Sequence, residues 1–313
     1  MKVATEPVQG RPANTDGQLG GENPHQGATL TIKLLPAETC NRYAASMAVS
    51  LTVLASGSRG NCSIVAGGGT RLLVDAGLSG RETFKRLKAS GEDPHTVSAI
   101  LISHEHSDHI CGLAALAKKL NVPVYLTEAT YHACRKLLRD KAGMNWKHER
   151  VETFVSGCSF QVGEIAVTPF TIPHDAADPV AFTFRAEGVK LAIVTDLGYM
   201  PASVRHHIGG CDVLMLESNH DLEMLRVGPY PWSVKQRVMS RVGHLSNDAL
   251  AEFFASDYDG RASFVVLAHL SEQNNHPELA RGCAERALSG RRTLLHNRVL
   301  LASQSAPLEP LRF

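Results

Sequence analysis

The chain has 313 residues, of which 43% are hydrophobic and 20% are charged. This composition is typical of a globular protein with a sizeable core, and it excludes a chain that is disordered throughout. The formal net charge of +1 gives no overall field that would attract nucleic acid, so any basic binding surface has to be local.

The cysteines and the apolar runs limit the cellular setting. The seven cysteines are odd in number and scattered, and none forms a Cys-x-x-Cys pair. This pattern argues against a disulfide framework or a structural zinc site and favours a reducing cytoplasm. No apolar run approaches the roughly 18 to 20 residues that a membrane span requires. We therefore expect a cytoplasmic protein that does not span a membrane.

Residues 1–46 are rich in glycine, proline, asparagine, glutamine and threonine. Such a segment buries too little apolar surface to offset the entropy of ordering, so we predict a disordered tail. Met47 precedes the first convincing strand and is a hypothetical alternative start of translation. The apolar stretch 44–55 faintly resembles part of a signal peptide, but its second half is better explained as a strand. One folded domain is expected over residues 47–313.

Short strand-like runs alternate with helical stretches from Ser50 onward. Strands are predicted at 51–55, 63–66, 71–75, 99–103, 122–126, 164–170, 181–186, 191–195, 213–216 and 263–268. Helices are predicted at 80–90, 110–120, 128–138, 203–208, 246–256 and 277–288. Strands come in clusters that helices then cover. This order favours an α/β fold of four layers, an αββα sandwich, over a doubly wound parallel sheet.

A dense group of possible metal ligands, His-Glu-His-Ser-Asp-His, occupies residues 104–109 directly after the predicted strand 99–103. Side chains alternate in an extended segment, so His104 and His106 point the same way and can face one cation. The turn that follows can bring Asp108 and His109 to a second cation. The alternative is a polar loop that happens to be rich in histidine.

The spacing His-x-His-x-Asp-His resembles the signature of the metallo-β-lactamase-like superfamily of hydrolases. The resemblance implies a metallo-β-lactamase fold over 47–313 and further ligands at strand ends. It assigns His174 as the third ligand of the first metal, Asp196 as a bridging carboxylate and His269 as the last ligand of the second metal.

The resemblance also implies two divalent ions and a metal-bridging hydroxide as nucleophile, which Asp108 would orient. An all-histidine and aspartate ligand set makes Zn²⁺ the first choice, with Mn²⁺ and Fe²⁺ as alternatives. Asp75 occupies a position where the superfamily commonly has a carboxylate behind the ligands. It would hold a histidine tautomer, or alternatively serve as a helix cap or turn residue.

Five blocks, at 54–63, 75–79, 217–221, 243–247 and 268–275, together resemble the YycJ (WalJ) group, which is related to ribonuclease Z and the phosphoribosyl cyclic phosphodiesterase. The resemblance implies a cytoplasmic phosphodiesterase that acts on DNA as a 5′ to 3′ exonuclease. A small-molecule hydrolase of cyclic phosphodiesters or thioesters is the alternative. A metal-bound interaction module without catalysis is a third reading, which the complete ligand set disfavours.

Two regions are candidates for phosphate binding. In the loop 56–61, the glycines can gather backbone N–H groups around an anion, with Ser58, Arg59 and Asn61 as contacts. A plain hairpin turn explains the glycines equally well. The segment 224–244 carries aromatic rings and no acidic residue, and Arg237 and Arg241 are its candidate DNA contacts. The basic stretch 135–150 would extend this surface, and solvated helical faces are the alternative for both.

His244 and His220 are the candidate proton donors to the leaving oxygen. Resemblance to the phosphodiesterases favours His244, with His220 as the runner-up. The competing explanation is that the block 243–247 only caps a helix, through Ser246 or Asn247.

Overall fold

A computed structural model of the protein describes residues 49–138, 145–290 and 297–313. The predicted tail 1–46 and Met47 lie outside these ranges. Strands in the first half of the described chain are β1 (Ser50–Ala55), β2 (Cys62–Gly67), β3 (Thr70–Val74), β4 (Ala99–Leu101), β5 (Val124–Leu126), β6 (Val151–Thr153) and β7 (Phe160–Val162). They are followed by β8 (Ile165–Thr171), β9 (Val180–Ala186), β10 (Val189–Val194), β11 (Val213–Glu217), β12 (Phe264–Ala268), β13 (Arg298–Leu301) and β14 (Leu311–Arg312).

The helices are α1 (Gly80–Ala89), α2 (Ser107–Ile110), α3 (Leu113–Leu120), α4 (Glu128–Leu137), α5 (Ala202–Ile208), α6 (Leu222–Val227), α7 (Trp232–Val238), α8 (Asn247–Ser256) and α9 (Pro277–Ser289). Several begin at a side-chain cap, as α8 does where Ser246 accepts a hydrogen bond from the N–H of Ala249. None of the helices in the described ranges combines the length and apolarity that a bilayer span requires.

The strands form two seven-stranded mixed sheets. The first has the order β14-β1-β2-β3-β4-β5-β6, and the second has the order β13-β12-β11-β10-β9-β8-β7. Strands β3 to β6 are parallel to one another, and so are β10 to β13. Strands β7 to β10 run antiparallel in succession, which gives β8 the same direction as β10. The carboxyl ends of β8, β10, β11 and β12 therefore meet at one edge of the second sheet.

Three hydrophobic cores separate the layers. In β3, Leu72 and Val74 pack into the core between the two sheets, whereas Leu73 faces α1, α3 and α4. This alternation follows from the two-residue period of a strand. A third core lies between the second sheet and helices α5, α8 and α9. Helix, sheet, sheet and helix thus follow one another, and the predicted αββα sandwich is confirmed.

Every predicted strand and helix has a counterpart in the structure. The predicted helix 110–120 is divided at Gly112, where a Cβ atom would lie 2.0 Å from the carbonyl oxygen of Leu78. The strands β6, β7, β13 and β14 and the helices α6 and α7 were not predicted. They are short and partly exposed, so their hydrophobic periodicity is weak.

Replacing Phe254 by alanine tests the core beneath α8. Phe254 is fully buried against the second sheet, and truncation of such a ring leaves a cavity. We expect Phe254→Ala to lower the free energy of unfolding by about 3–5 kcal/mol in chemical denaturation. The exposed Glu252 on the same helix provides the control, since Glu252→Ala should change stability by no more than about 0.5 kcal/mol. Similar small losses in both variants would contradict this packing.

Candidate metal centre

The predicted ligands come together where strands of both sheets end. The segment after β4 carries His104, His106, Asp108 and His109. Asp196 follows β10, His269 follows β12, and His174 lies shortly after β8. Parallel strands place their carboxyl ends at one edge, and this topology gathers residues that are far apart in the sequence.

One group of possible ligands contains three histidines. One ligand atom each from His104, His106 and His174 lies within 4.8 Å of the others, and Nε2 of His174 is 3.2 Å from Nδ1 of His106. The Nδ1 atom of His174 faces the carbonyl oxygen of Gly243 at 3.2 Å. Nε2 of His104 is buried and has no hydrogen-bond partner among the described residues. A buried nitrogen without a partner is costly unless it binds an ion.

A second group contains Asp108, His109, Asp196 and His269, again within 4.8 Å of one another. Nε2 of His109 is 3.2 Å from Asp196 and 3.4 Å from Asp108, and Nε2 of His269 is 3.4 Å from Asp108. The carboxylate of Asp196 also lies 3.9 Å from Nε2 of His174 in the first group. Asp196 therefore lies between the two groups, which is the position that the resemblance predicted for it.

Polar side chains behind the ligands fix their ring orientations. The Asp75 carboxylate lies 2.8 Å from Nδ1 of His109 and accepts hydrogen bonds from the backbone and hydroxyl of Ser103. The hydroxyl of Ser103 is also 3.0 Å from Nδ1 of His104. With both Nδ1 atoms engaged, the Nε2 atoms face the centre. Asp75 thus lies where the resemblance placed it, while Ser79 caps the nearby helix α1.

Glu217 is the first residue of the block 217–221, and the sequence patterns predicted no role for it. It is fully buried at the end of β11 and accepts hydrogen bonds from the backbone N–H groups of Leu197 and Leu245 at 2.9 and 3.1 Å. Its Oε1 atom lies 2.9 Å from Nδ1 of His244 and 2.8 Å from Nδ1 of His269. The strand-end position that singled out Asp196 and His269 also singles out Glu217.

Burial and charge set the protonation of the centre. Burial, together with the neighbouring His109, holds the pKa of His104 well below its ordinary value, so the ring is neutral, which is the form that binds a metal. Burial raises the pKa of Glu217, but the imidazoles of His244 and His269 outweigh it and bring that pKa to about 2. Burial likewise opposes ionisation of Asp196, yet the surrounding imidazoles hold its pKa well below the usual range. Burial opposes protonation of His109 and His269, but the neighbouring carboxylates raise the pKa of both rings well above the ordinary value, so a bound cation would displace their protons. Imidazole nitrogens and ionised carboxylates form a donor set that fits a divalent cation.

The two candidate proton donors differ in position. His244 lines the central cavity and is 15% exposed, with its Nδ1 atom held by Glu217. His220 is buried, its Nδ1 atom has no hydrogen-bond partner among the described residues, and burial lowers its pKa to about 4. Ser246 caps α8, as the capping explanation expected, but His244 in addition lines the cavity and contacts Glu217.

A cavity of about 230 Å³ opens over the metal centre. It is lined by Ser58, His106, Asp108, Asp196, Asn219, Tyr230, Val234, Arg237, Val238, His244, His269 and Ser271. Of the predicted substrate contacts, Ser58 and Arg237 line it. Asn61 is buried beneath it, with both ends of its amide engaged by protein atoms.

Most of the predicted basic surface is paired with protein groups. Arg59 forms a salt bridge with Glu272, and Arg237 binds Asp175 through two hydrogen bonds, one of 3.0 Å. Arg226 pairs with Glu223, and the buried Lys235 donates to the carbonyl oxygen of Arg226. The guanidinium of Arg241 is exposed and lies 4.0 Å from the centre of the Tyr199 ring. Within the stretch 135–150, residues 139–144 lie outside the described residues.

Known proteins resemble this chain in sequence and in fold. The beta-lactamase superfamily domain matches residues 70–269. Exodeoxyribonuclease YycJ of Bacillus anthracis is 43% identical over 235 residues, which cover 75% of this chain and 87% of that protein. Exodeoxyribonuclease WalJ of Streptococcus pneumoniae serotype 2 is 38% identical over 231 residues, covering 73% and 84%. The crystal structure of the metallo-beta-lactamase fold protein YhfI from Bacillus subtilis has a TM-score of 0.61 at 19% identity and covers 83% of this chain and 99% of its own.

The fold and the two ligand groups define a metal-dependent hydrolase with the metallo-β-lactamase fold. The chain belongs to the metallo-β-lactamase superfamily, within the family that includes YycJ and WalJ. The resemblance stated from the sequence motifs is thereby confirmed.

Zinc binding should stabilise the folded protein. A ligand that binds only the folded state adds about 2.7 kcal/mol to the free energy of unfolding when its free concentration is about 100 times its Kd. We expect Zn²⁺ to raise the melting temperature of chelator-treated protein and to raise it less in His104→Ala. His132→Ala removes an exposed histidine on α4 and should keep the wild-type shift. An equal zinc shift in His104→Ala and wild type would contradict the assignment of His104 as a ligand.

Proposed function

We propose that the protein is a dinuclear metal-dependent phosphodiesterase that degrades DNA as a 5′ to 3′ exonuclease. The observation that carries the proposal is the 43% identity to a protein named exodeoxyribonuclease over most of both chains. The two adjoining ligand groups support it. A small-molecule hydrolase of cyclic phosphodiesters or thioesters is the alternative function.

Two divalent ions, with Zn²⁺ as first choice, are proposed at the two ligand groups. His104, His106 and His174 would hold one ion, and Asp108, His109 and His269 the other, with Asp196 between them. When bound, such a pair activates a water as nucleophile and stabilises the charge on the attacking and leaving oxygens of an in-line displacement.

Asp108 is proposed to orient the attacking water. Its carboxylate lines the cavity and lies between His109 and His269. Burial raises the pKa of Asp108, but the two imidazoles lower it by a larger amount. The net shift is downward, so the side chain is ionised. An ionised carboxylate only accepts hydrogen bonds, which is what holding a water by its O–H group requires.

His244 is proposed to protonate the leaving oxygen, with His220 as the less favoured donor. Glu217 engages Nδ1 of His244 at 2.9 Å, which leaves Nε2 as the ring nitrogen that is free to face the cavity. A carboxylate in this position fixes the tautomer and stabilises the protonated ring. Glu217 therefore acts through His244 as a positioning residue.

Ser58, Arg59, Arg237 and Arg241 are the proposed substrate contacts, and their surroundings modify how each would act. Asn61 was predicted as a fifth contact, but it is buried and both ends of its amide are bound to protein atoms. Arg59 and Arg237 would have to exchange a carboxylate partner for a phosphate. Arg241 has an aromatic partner rather than a carboxylate in the described structure, so it is the clearest candidate for a phosphate contact. Trp232, the first residue of α7, is 63% exposed and is suited to stack on a base.

We expect His244→Ala to keep its metal content and to lose about 10²–10⁴-fold in phosphodiester turnover, because a proton donor contributes about that factor. The loss should shrink for a p-nitrophenyl ester, whose leaving group departs without a proton. Both turnover rates and the bound metal should be measured for His244→Ala and His220→Ala. A larger and more substrate-dependent loss in His220→Ala would reverse the assignment.

We expect Arg241→Ala to weaken DNA binding at low salt and to flatten the dependence of the binding constant on salt. Each lost phosphate contact reduces the slope of log K against log salt by about 1. Binding should be measured in the His244→Ala background, so that the DNA survives. Arg261→Ala removes an exposed arginine that pairs with Asp212. Arg261 precedes β12, at the end of that strand opposite to His269, so the slope of this variant should match the parent. Equal slopes in Arg241→Ala and Arg261→Ala would remove Arg241 from the DNA-binding surface.

Linear duplex DNA labelled at the 5′ ends, the same duplex labelled at the 3′ ends, and closed circular DNA of the same sequence test the proposal together. Early release of 5′ label as mononucleotides or short oligonucleotides, with late 3′ release and an intact circle, is the expected result. Cleavage of the circle would contradict action from ends. No cleavage of any DNA, together with rapid hydrolysis of a cyclic phosphodiester or a thioester, would establish the small-molecule alternative.

A further inference from the structure

The side chain of Asn61 lies directly behind the second ligand group. It is only 5% exposed, and its Nδ2 atom lies 3.1 Å from Oδ2 of Asp108 and 3.0 Å from Nε2 of His109. Sequence analysis assigned Asn61 to substrate binding because it follows two glycines in a loop. Its burial and its contacts with two ligand residues point to a different task.

The direction of the Asn61 amide is fixed from the opposite side. Its Oδ1 atom accepts a hydrogen bond from the backbone N–H of Gly57 at 2.9 Å and another from the hydroxyl of Ser56 at 3.3 Å. A backbone N–H only donates, so the carbonyl end must face Gly57 and the NH₂ end must face the ligands. Asp108 is thus presented with a donor that suits its ionised carboxylate.

The backbone of Asn61 is held as firmly as its side chain. Its N–H donates to the carbonyl oxygen of Asp108 at 2.7 Å, and its carbonyl accepts from the N–H of Gly77 at 3.0 Å. Gly60, just before it, has a φ of 146°, and a Cβ atom there would lie 2.8 Å from the carbonyl oxygen of Gly77. The loop therefore has little room to shift relative to Asp108.

A residue near the carboxyl terminus clamps the same loop. Nε2 of Gln304 donates to the carbonyl oxygen of Gly60 at 3.1 Å, and its Oε1 accepts from the N–H of Arg59 at 2.7 Å. Arg86 in turn donates to the backbone carbonyls of Gln304 and Leu54, each at 2.9 Å. Gln304 thereby connects the segment between β13 and β14 to the loop that carries Asn61.

We propose that Asn61 is a positioning residue that fixes the carboxylate of Asp108 for metal binding, and that Gln304 acts on Asp108 through the same loop. Without the amide donor, the Asp108 carboxylate would be free to rotate away from His109 and His269. The first ligand group has no contact with this loop among the hydrogen bonds of the described residues. The inference rests on the proposed pair of ions. Loss of the Asn61 amide should affect only the ion held by the second ligand group.

Calorimetric titration of metal-free protein with Zn²⁺ separates the two sites. Each site should give one zinc-binding event in the titration. Asn61→Ala should lower the zinc affinity of the event assigned to Asp108, His109 and His269 by about 10–100-fold, the usual effect of losing a residue that holds a ligand. The zinc affinity of the other event should not change. Gln304→Ala should give a smaller loss at the same event. Titration with Co²⁺ adds a spectroscopic check, because the visible absorption of the weakened site should change in Asn61→Ala.

Asn247→Ala serves as the matched control. Asn247 is a buried amide that bonds to Ser218 and Asn275, so its loss should lower the melting temperature of metal-free protein without weakening either zinc event. Two wild-type events that are both unchanged in Asn61→Ala and Gln304→Ala would overturn the inference alone. Equal weakening of both events would also overturn it, since that result indicates a general structural effect. A single wild-type event would instead overturn the proposal of two ions.

Discussion

The structure depends on one electrostatic constraint, the burial of ionisable side chains at a single edge of the sandwich. Asp75, Asp196 and Glu217 are at most 4% exposed, and His104, His109 and His269 at most 3%. An isolated buried charge is strongly unfavourable, and the arrangement avoids this by giving each carboxylate imidazole or N–H partners. The Nε2 atom of His104 has no protein partner among the described residues. A bound cation would supply that partner and would offset the negative charge of the carboxylates.

The same edge also carries backbone strain. Asp75, Asp196 and His269 have φ angles of 60°, 64° and 54°, a left-handed conformation that costs a non-glycine residue about 1–2 kcal/mol. Each residue lies within two positions of a strand end, where the left-handed backbone conformation turns the side chain back toward the metal centre. Hydrogen bonds hold two of these turns, from the N–H of Asp75 to Leu101 and from that of His269 to Ser56. The hydrophobic layers thus stabilise a site whose own geometry opposes folding.

Local patterns in the sequence sufficed for the ligands that follow a strong strand. His104 and His106 come directly after a buried apolar run, and strand alternation places them together. The role of Glu217 was missed because it depends on His244 and His269, which lie 27 and 52 residues away. The pairing of Arg237 with Asp175, 62 residues apart, was missed for the same reason. Charge counting along the chain therefore overstated the free basic surface, since salt bridges form between segments that only the fold brings together.

We infer that this buried edge holds two metal ions around Asp196. Anomalous scattering from a crystal of the zinc-loaded protein, recorded at the zinc absorption edge, tests it most directly. We expect two peaks about 3.5–4 Å apart, one against His104, His106 and His174 and the other against Asp108, His109 and His269. A single peak in fully loaded crystals, or peaks away from these side chains, would contradict it.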